Sequence, residues 1–410
     1  MIIIYLVQYF PPEKASGLQL VEDLLEGFAK YKWKVCVFTP TPTRGVTNKQ
    51  RKEYAKKRIE EKFDGNLIIR RMHLYREGRS FFARALRYMI FSIECFWKAV
   101  TVPADFIFTG SGPPTQGVVV GLAKKISHKK VIYNLQDIFP DSLITSGICN
   151  EDSILIKIGC IIENFTYRNA DHIITITDDM KKNVVKKGVS PEKVSVIRNW
   201  IDVNKVVPIA PKSNTLIKEL GLPENKFYVV YAGNLGKVQG VDVLVRAAEK
   251  LKLNKDIQFI IFGNGSEEDK IRTLIDEQRL DNISLYPLQS SERISEVYSL
   301  GNVCVISCKP GTGESGMPSK TWTIMATGTP IIASFDLNSE MEKTISEAKC
   351  GICVNSGEPE ALAKAICEIS MNPELAMKMG ENARQYVVEQ ASKEKAVQKY
   401  IECIEKIMKV

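Results

Sequence analysis

Residues 311–334 read GTGESGMPSKTWTIMATGTPIIAS, a glycine-rich loop that runs into a helix and then into a buried strand. Gly311, Gly313 and Gly316 have no Cβ, so the backbone there accepts positive φ and close approach to another group. Met317, Pro318, Ser319 and Lys320 open the helix; proline is accepted in a first turn because its missing N–H would have no partner there. Free N–H groups beside glycines and a lysine suit an anionic group, most often phosphate. Gly328-Thr329-Pro330 ends the helix and launches the strand at 330–334. An ordinary loop–helix–strand connector has the same look, so the rest of the chain has to decide.

Working outward, the same alternation fills the second half. Apolar strands are expected at 228–232, 257–262, 283–286, 303–307 and 351–354, with helices at 241–251, 291–300 and 359–369. The first strand runs into the loop Gly233-Asn234-Leu235-Gly236-Lys237-Val238-Gln239-Gly240, and the second into Gly263-Asn264-Gly265. Ser266 followed by Asp269 reads as a capping box. Two last helices, 377–388 and 392–409, are long enough to cross back onto the first half. That half alternates too, with strands at 1–7, 35–39, 68–72, 106–109, 130–135, 172–177 and 194–197, and helices at 18–30, 80–100, 117–126, 154–169 and 178–187. Gly17 stands where a ligand would meet the first helix. Residues 204–213, with Pro208 and Pro211, form the linker.

Strands alternating with helices in both halves predict an α/β protein of two Rossmann-like, doubly wound domains facing a cleft. The expected division is 1–203 and 204–389, with 390–410 packing back on the first domain. Ligands of such sheets bind outside the carboxyl ends of the strands, where these glycine loops fall.

At 410 residues the chain is too long for one core, and its 44% hydrophobic and 25% charged content is that of a folded protein without a large disordered region. Its ten cysteines are scattered through apolar stretches, unlike a disulfide framework. Cys350 and Cys353 have redox or zinc spacing, but no second pair follows and they sit in a strand-like run. The start, MIIIYLVQYF, lacks a basic region and a cleavage site and reads as a strand, and no apolar run is long enough to span a membrane. A cytoplasmic protein is expected. Charge divides unevenly: residues 1–200 hold 31 Lys+Arg against 20 Asp+Glu, and residues 201–410 hold 25 against 28. A basic first half suggests an anionic surface, for which a membrane leaflet fits better than nucleic acid. Residues 43–62 are polar and read as mobile. In the helix at 80–100, Leu86, Met89, Ile90, Ile93, Phe96, Trp97 and Val100 follow one face and are expected on the core, with Phe81, Phe82 and nearby arginines as a basic-aromatic edge for lipid.

Several segments resemble one family in their order along nearly the whole chain. QYFPPE near the start, Asp137-Ile138-Phe139-Pro140-Asp141, Arg168-Asn169-Ala170-Asp171 before its strand, and Val194 to Asp202 before the linker look like the retaining glycosyltransferases of family 4. They resemble the bacterial branch that builds cell-surface polysaccharides, including the N-acetylfucosamine and colanic acid transferases. The loop at 233–240 resembles that family's donor phosphate loop, and Pro318-Ser319-Lys320 with Met325 to Pro330 its donor-sugar and ribose element.

The resemblance implies a GT-B fold and transfer of a sugar, with retention, from a nucleotide-diphosphate donor, UDP foremost. The acceptor implied is a polyprenyl-diphosphate-linked sugar on the route to O-antigen or capsule, at the inner face of the cell membrane. Lys237, Gly236 and the helix start at Ser319–Lys320 would stabilise the departing diphosphate. Glu314 would bond donor hydroxyls, Leu288 would place backbone groups on the base, and Asp137 would orient the acceptor. Gly17, Gly263, Gly265, Gly316, Met317 and Pro318 complete the donor set. Fixed cations make a divalent metal unnecessary, and neither a metal site nor a cofactor is expected. Arg70, Arg71, Arg76, Arg79, Arg84 and Arg87 would meet lipid headgroups. No nucleic acid is expected as a partner.

Departures from the family pattern are specific. The family's second glutamate falls on Thr323 and its first on Ser315, with Glu314 one residue away. Its basic positions in the phosphate loop fall on Asn234 and Gln239, and a frequent histidine falls on Gln136. The three histidines, His73, His128 and His172, read as structural. A GT-B epimerase for UDP-sugars shares the fold but relies on carboxylates and a histidine without a counterpart here. A non-catalytic GT-B subunit would account for Thr323, Asn234 and Gln239 together.

Overall fold

The computed structural model describes residues 1–13, 17–77, 80–145, 147, 149–313 and 317–409, and divides the chain into two units. Glu314, Gly316 and Arg79 lie outside the described residues. The first unit, Met1–Arg198 with Val397–Val410, is built on an eight-stranded sheet, and the second, Asn199–Ala396, on a six-stranded one.

In the first unit the order is β1 (Ile2–Leu6), α1 (Leu18–Lys30), β2 (Lys34–Pro40), α2 (Asn48–Lys56), β3 (Ile59–Lys62), β4 (Leu67–Met72), α3 (Phe81–Thr101), β5 (Phe106–Gly110), α4 (Thr115–Ser127), β6 (Lys130–Leu135), α5 (Asp141–Thr145), α6 (Ile154–Asn169), β7 (His172–Thr175), α7 (Asp178–Lys186) and β8 (Val194–Val196). The sheet runs β3-β4-β2-β1-β5-β6-β7-β8, and every pairing except β3 with β4 is parallel. Strands covered on both faces need apolar side chains at every position, which is why Ile-Ile-Ile-Tyr-Leu makes β1. The chain leaves β1 toward β2 and later returns to its other side with β5. The switch point therefore lies between β1 and β5.

Two expectations are corrected in this unit. Residues 43–62 are largely ordered as α2 and β3. Thr47 and Gln50 form a capping box at the start of α2, and Ile59–Lys62 pairs antiparallel with β4. The polar sequence hides this because α2 is anchored by a cation: Arg51 donates to the carbonyls of Thr41, Pro42 and Leu74. On α3, the core side is Arg87, Phe91, Cys95 and Ala99, while Leu86, Met89, Ile93 and Trp97 are exposed. This helix is apolar nearly all round, so periodicity alone cannot select the buried face. The small Cys95 and Ala99 let the helix sit close on the sheet.

The second unit contains α8 (Thr215–Glu219), β9 (Phe227–Asn234), α9 (Asp242–Lys250), β10 (Ile257–Asn264), α10 (Glu268–Glu277), β11 (Ile283–Tyr286), α11 (Ile294–Ser299), β12 (Val303–Ser307), α12 (Lys320–Ala326), β13 (Ile331–Ser334), α13 (Glu340–Ala348), β14 (Gly351–Val354), α14 (Pro359–Ser370) and α15 (Pro373–Gln390). Its sheet, β11-β10-β9-β12-β13-β14, is parallel throughout, and its switch point lies between β9 and β12. The last helix, α16 (Lys393–Lys409), begins in this unit and groups from Val397 with the first. The unit boundaries at 198/199 and 396/397 differ from the expected 203/204 and 389/390. Ile201 pairs with Ser392, and Val203 and Val206 enter the second unit's core. Ser266 makes no capping box: α10 starts at Glu268, and its N-cap position, Glu267, has no side-chain cap bond. Helix α12 starts at Lys320, because the Thr321 amide turns back tightly onto the Pro318 carbonyl at 3.0 Å.

Candidate functional site

The loops leaving β9 and β12 meet at the second sheet's switch point, and Lys320 is brought there by α12. Its ammonium lies 4.0 Å from the Tyr231 ring centroid, a cation–π contact on the last turn of β9. Gly233 follows with φ 144°, a conformation that side chains rarely adopt, and a Cβ there would lie 2.7 Å from Lys320 Nζ and push the ammonium aside. Tyr231 is itself fixed by donating its hydroxyl to the Asn234 carbonyl at 2.8 Å. Burial pulls the Lys320 pKa down to about 8, and no carboxylate lies within ion-pair reach among the described residues. Cys304 and Tyr231 are titrating neighbours, and burial pushes the pKa of both far up, so neither carries charge near pH 7. The result is an enclosed cation with no anion paired to it among the described residues.

The loop at 233–240 is folded onto the next connection. The Leu235 amide donates to the Asn264 carbonyl and the Glu267 amide to the Leu235 carbonyl, both at 2.8 Å. A Cβ on Gly263 would lie 2.7 Å from the Gly233 carbonyl oxygen, and one on Gly265 2.5 Å from that of Leu235. These two glycines are thus required by loop packing. Asn234 Nδ2 donates to Gln239 Oε1 at 3.3 Å, across Gly236, whose missing Cβ leaves room for both amides. Lys237 is exposed in the single 3-10 turn Lys237–Gln239. It borders a cavity of about 490 Å³ with Arg246, Lys270 and Lys309. Arg246 is paired with Asp242 and Lys270 with Glu267, whereas Lys237 and Lys309 have no ion-pair partner among the described residues.

The glycines at 311 and 313 have a partner that the sequence does not announce. Their amides donate to the two carboxylate oxygens of Asp336, at 3.1 and 2.8 Å, and the Ser356 hydroxyl donates to the same group. Burial raises the Asp336 pKa, but the Ser356 hydroxyl and the amides of Gly313, Gly311 and Thr312 outweigh it and hold the carboxyl below its usual range. A Cβ on Gly313 would lie 2.9 Å from that of Asp336. The close approach expected of these glycines is therefore to Asp336. Met317 and Pro318 are half-buried, Ser319 is exposed at the N-cap position, and Thr323 is half-buried one turn into α12. Leu288 is exposed just beyond β11.

At the carboxyl edge of the first sheet, Asp137 is exposed in the loop after β6, with no hydrogen-bond or ion-pair partner among the described residues. Asp141, four residues on, is instead held by Lys187 and Asn183, and Lys187 also reaches Glu163 at 2.7 Å. Gly17 takes φ 77° at the start of α1, open to solvent on its Cβ side. A residue missed by sequence reasoning is Glu13: it is buried and accepts from the amides of Thr43 and Arg44, at 2.7 and 3.0 Å, and from the Thr43 hydroxyl. It ties the loop after β1 to the loop after β2. His172 is buried against the Ser195 hydroxyl at 2.8 Å, and burial lowers its pKa to about 4, as befits a structural group.

The arginines expected on lipid do not form one surface. Arg71 is buried, bonded to Glu60 at 2.9 Å and to the Pro11 carbonyl at 2.6 Å, and stacked on Tyr54. Arg87 is 1% exposed and donates to the Tyr75 carbonyl. Both are pinned within the fold by groups that neutralise or accept from them, so neither can meet a headgroup. Arg70, Arg76 and Arg84 are exposed, and Arg76 donates to Asn48 at 2.6 Å.

The chain matches the family model described as Glycosyltransferase Family 4 over residues 19–205 and that described as Glycosyl transferases group 1 over residues 212–386. It is 26% identical to a putative colanic acid biosynthesis glycosyl transferase, WcaI, of Escherichia coli K12, over 68% of this chain and 69% of that protein. It is 23% identical to a probable glycosyltransferase, WbjE, of Pseudomonas aeruginosa, over 80% of each. Among solved structures, sucrose-phosphate synthase from Thermosynechococcus elongatus superposes with a TM-score of 0.76 at 19% identity, covering 99% of this chain and 98% of that one. Anabaena Alr3699/HepE, solved in complex with UDP, gives 0.74 at 16% identity, covering 99% and 100%.

Proposed function

This chain is a family 4-like glycosyltransferase of GT-B fold, and we propose that it moves a sugar from a nucleotide-diphosphate donor to a lipid-linked saccharide in surface-polysaccharide synthesis, with retention at the anomeric carbon. The observation that carries the donor half is Lys320, an enclosed ammonium over the Tyr231 ring at the switch point of the second sheet, with no anionic partner among the described residues. As the glycosidic bond breaks, negative charge grows on the departing diphosphate. Lys320 meets that charge from below the loop, and Lys237 and the Gly236 amide meet it from the loop itself. Preorganised donors of this kind are each worth about 3 kcal/mol of barrier. A solved structural neighbour that holds UDP supports a uridine nucleotide as the first to test.

Thr323 offers the ribose a single hydroxyl contact, and Leu288, exposed after β11, presents backbone groups to the base. Asp137 orients the acceptor hydroxyl; its exposure, with no partner among the described residues, suits a group that waits for substrate. The acceptor assignment is supported by the relatives named for colanic acid synthesis. Isothermal titration with UDP, GDP and ADP tests the donor half. Binding of one of them, lost in Lys320→Ala and weakened in Lys237→Ala, is expected. If no nucleoside diphosphate bound, the donor reading would be wrong.

A further inference from the structure

Helices α3, α4 and α6 connect β4 to β5, β5 to β6 and β6 to β7, all stepping the same way along the first sheet. Right-handed crossovers place such helices on one face, and α4 packs between the other two. Their inner sides are used by the core, through Phe91, Cys95, Ala99, Val119, Val120 and Ala123. Their outer sides are also apolar. Along α3, Phe82, Leu86, Met89, Ile93 and Trp97 recur every three or four residues and are 47–82% exposed. Along α6, Ile154, Leu155, Ile158 and Ile161 are 48–75% exposed, and Leu122 and Ile126 of α4 lie between. Single exposed apolar residues are ordinary, but a contiguous face of this kind marks an interaction surface.

Charge says what kind. The exposed charged residues of these three helices are Arg84, Lys125, Lys157 and Arg168, with no exposed carboxylate. Glu94 on α3 is half-buried with its pKa raised by burial, and Glu163 on α6 is buried against Lys187. Glu151 and Asp152 lie just before α6, at its margin. Exposed aliphatics with cations and no anions are what an anionic leaflet meets. A second copy of the chain would bring the same four cations to face their like.

We propose that the α3–α4–α6 face docks on an anionic lipid bilayer, its aliphatic side chains entering the headgroup–acyl boundary and its four cations meeting lipid phosphates. The proposal supplies the surface for the lipid-linked acceptor and rests on that reading for its purpose, though not for its chemistry. It also replaces the arginine patch expected from sequence. Its position fits: α6 is packed so closely on the loop carrying Asp137 that a Cβ on Gly159 would lie 2.7 Å from Pro140 and 3.1 Å from Phe139. A bilayer touched through α6 therefore reaches the carboxyl edge of the sheet, where a lipid-borne sugar would have to arrive.

The protein carries its own reporter. Of its tryptophans, Trp97 is 58% exposed, whereas Trp33, Trp200 and Trp322 are 1–4% exposed. On adding phosphatidylglycerol-rich vesicles to the full chain, Trp97 emission should shift to the blue and be quenched by brominated acyl chains. Binding should outlast salt that screens simple ion pairing, because apolar insertion is not screened. Ile158→Glu and Ile161→Glu should each weaken vesicle binding by about tenfold or more without changing the melting temperature or UDP affinity. Unshifted Trp97 emission with the protein left in the supernatant would overturn the proposal. So would a vesicle-free dimer that Ile158→Glu dissolves, which would assign the face to a second copy. Vesicle binding without nucleotide binding would uphold this face and sink the donor reading instead.

Discussion

Replacing Lys320 with methionine should make the ligand-free protein more stable and abolish its grip on a diphosphate. The folded-state pKa of about 8 lies below the ordinary 10.5, so the native state holds this proton less tightly than the unfolded chain does. At 1.36 kcal/mol per pH unit the enclosed charge costs about 3 kcal/mol, an upper bound because Lys320 is only partly buried as a residue. Methionine keeps the stem and a sulfur–aromatic contact with Tyr231, so about 1–2 kcal/mol of gain is a fair expectation at neutral pH. Below pH ~8 the group is charged in both states and the cost is fully present. Between ~8 and ~10.5 it is neutral folded and charged unfolded, so the wild type gains stability as pH rises and the gap to the variant closes. Urea melts of both proteins from neutral to high pH read this directly. A bound diphosphate should raise the pKa of Lys320 again, so the wild type should take up about half a proton on binding UDP near pH 8. Titration in two buffers of different ionisation enthalpy measures that uptake. A variant less stable than the wild type at neutral pH, or one that binds UDP as well as the wild type does, would refute the picture of an anion-less ammonium waiting for phosphate.

Asp137→Asn should cut sugar transfer by about a hundredfold or more with no loss of stability, because the exposed carboxylate has no partner among the described residues; Asp141→Asn should instead lower the melting temperature, since Lys187 and Asn183 depend on it. Differential scanning calorimetry beside a transfer assay separates the two. Asp336→Asn should raise the donor KM more than it lowers kcat, because it frees the Gly311 and Gly313 amides and loosens the loop before Lys320. His172 is held neutral by burial, with its pKa near 4 against 6.5 unfolded, so stability should fall as pH drops below ~6.5, by up to about 3 kcal/mol near pH 4. His172→Gln should flatten that slope in acid urea melts.

The parallel strands were legible because they read as apolar runs between glycine and polar loops, whereas the polar edge strand β3 was not. Helices α1 and α6 and strands β6, β11 and β12 have the bounds expected of them. The GT-B fold followed from motifs spread along both halves. Segments stabilised by polar contacts between distant residues did not show. Arg51 reaches three carbonyls from α2, Glu13 gathers amides some thirty residues away, and Asp336 accepts two amides from a loop more than twenty residues earlier. Nothing in the residues next to each of them distinguishes it from a solvated charge.

Arg71, Arg87 and the α3 stripe show the same ambiguity from opposite sides. Counting cations in the first half suggested an anionic partner, yet two of the arginines counted are buried and their charge is answered by Glu60 and by backbone carbonyls. Counting apolar residues on α3 suggested a core face, yet four of its seven members, Leu86, Met89, Ile93 and Trp97, are exposed. A burial pattern is a property of the sheet that a helix lands on, and α3 could have landed on either side. Nearer the start of the helix the core side takes Arg87 and Phe91, both fully buried. Toward its end size separates the two outcomes, since the side carrying Cys95 and Ala99 allows close packing and the side carrying Ile93 and Trp97 does not. At that end the bulkier face is left outside, where a lipid surface can take up the side chains of Ile93 and Trp97.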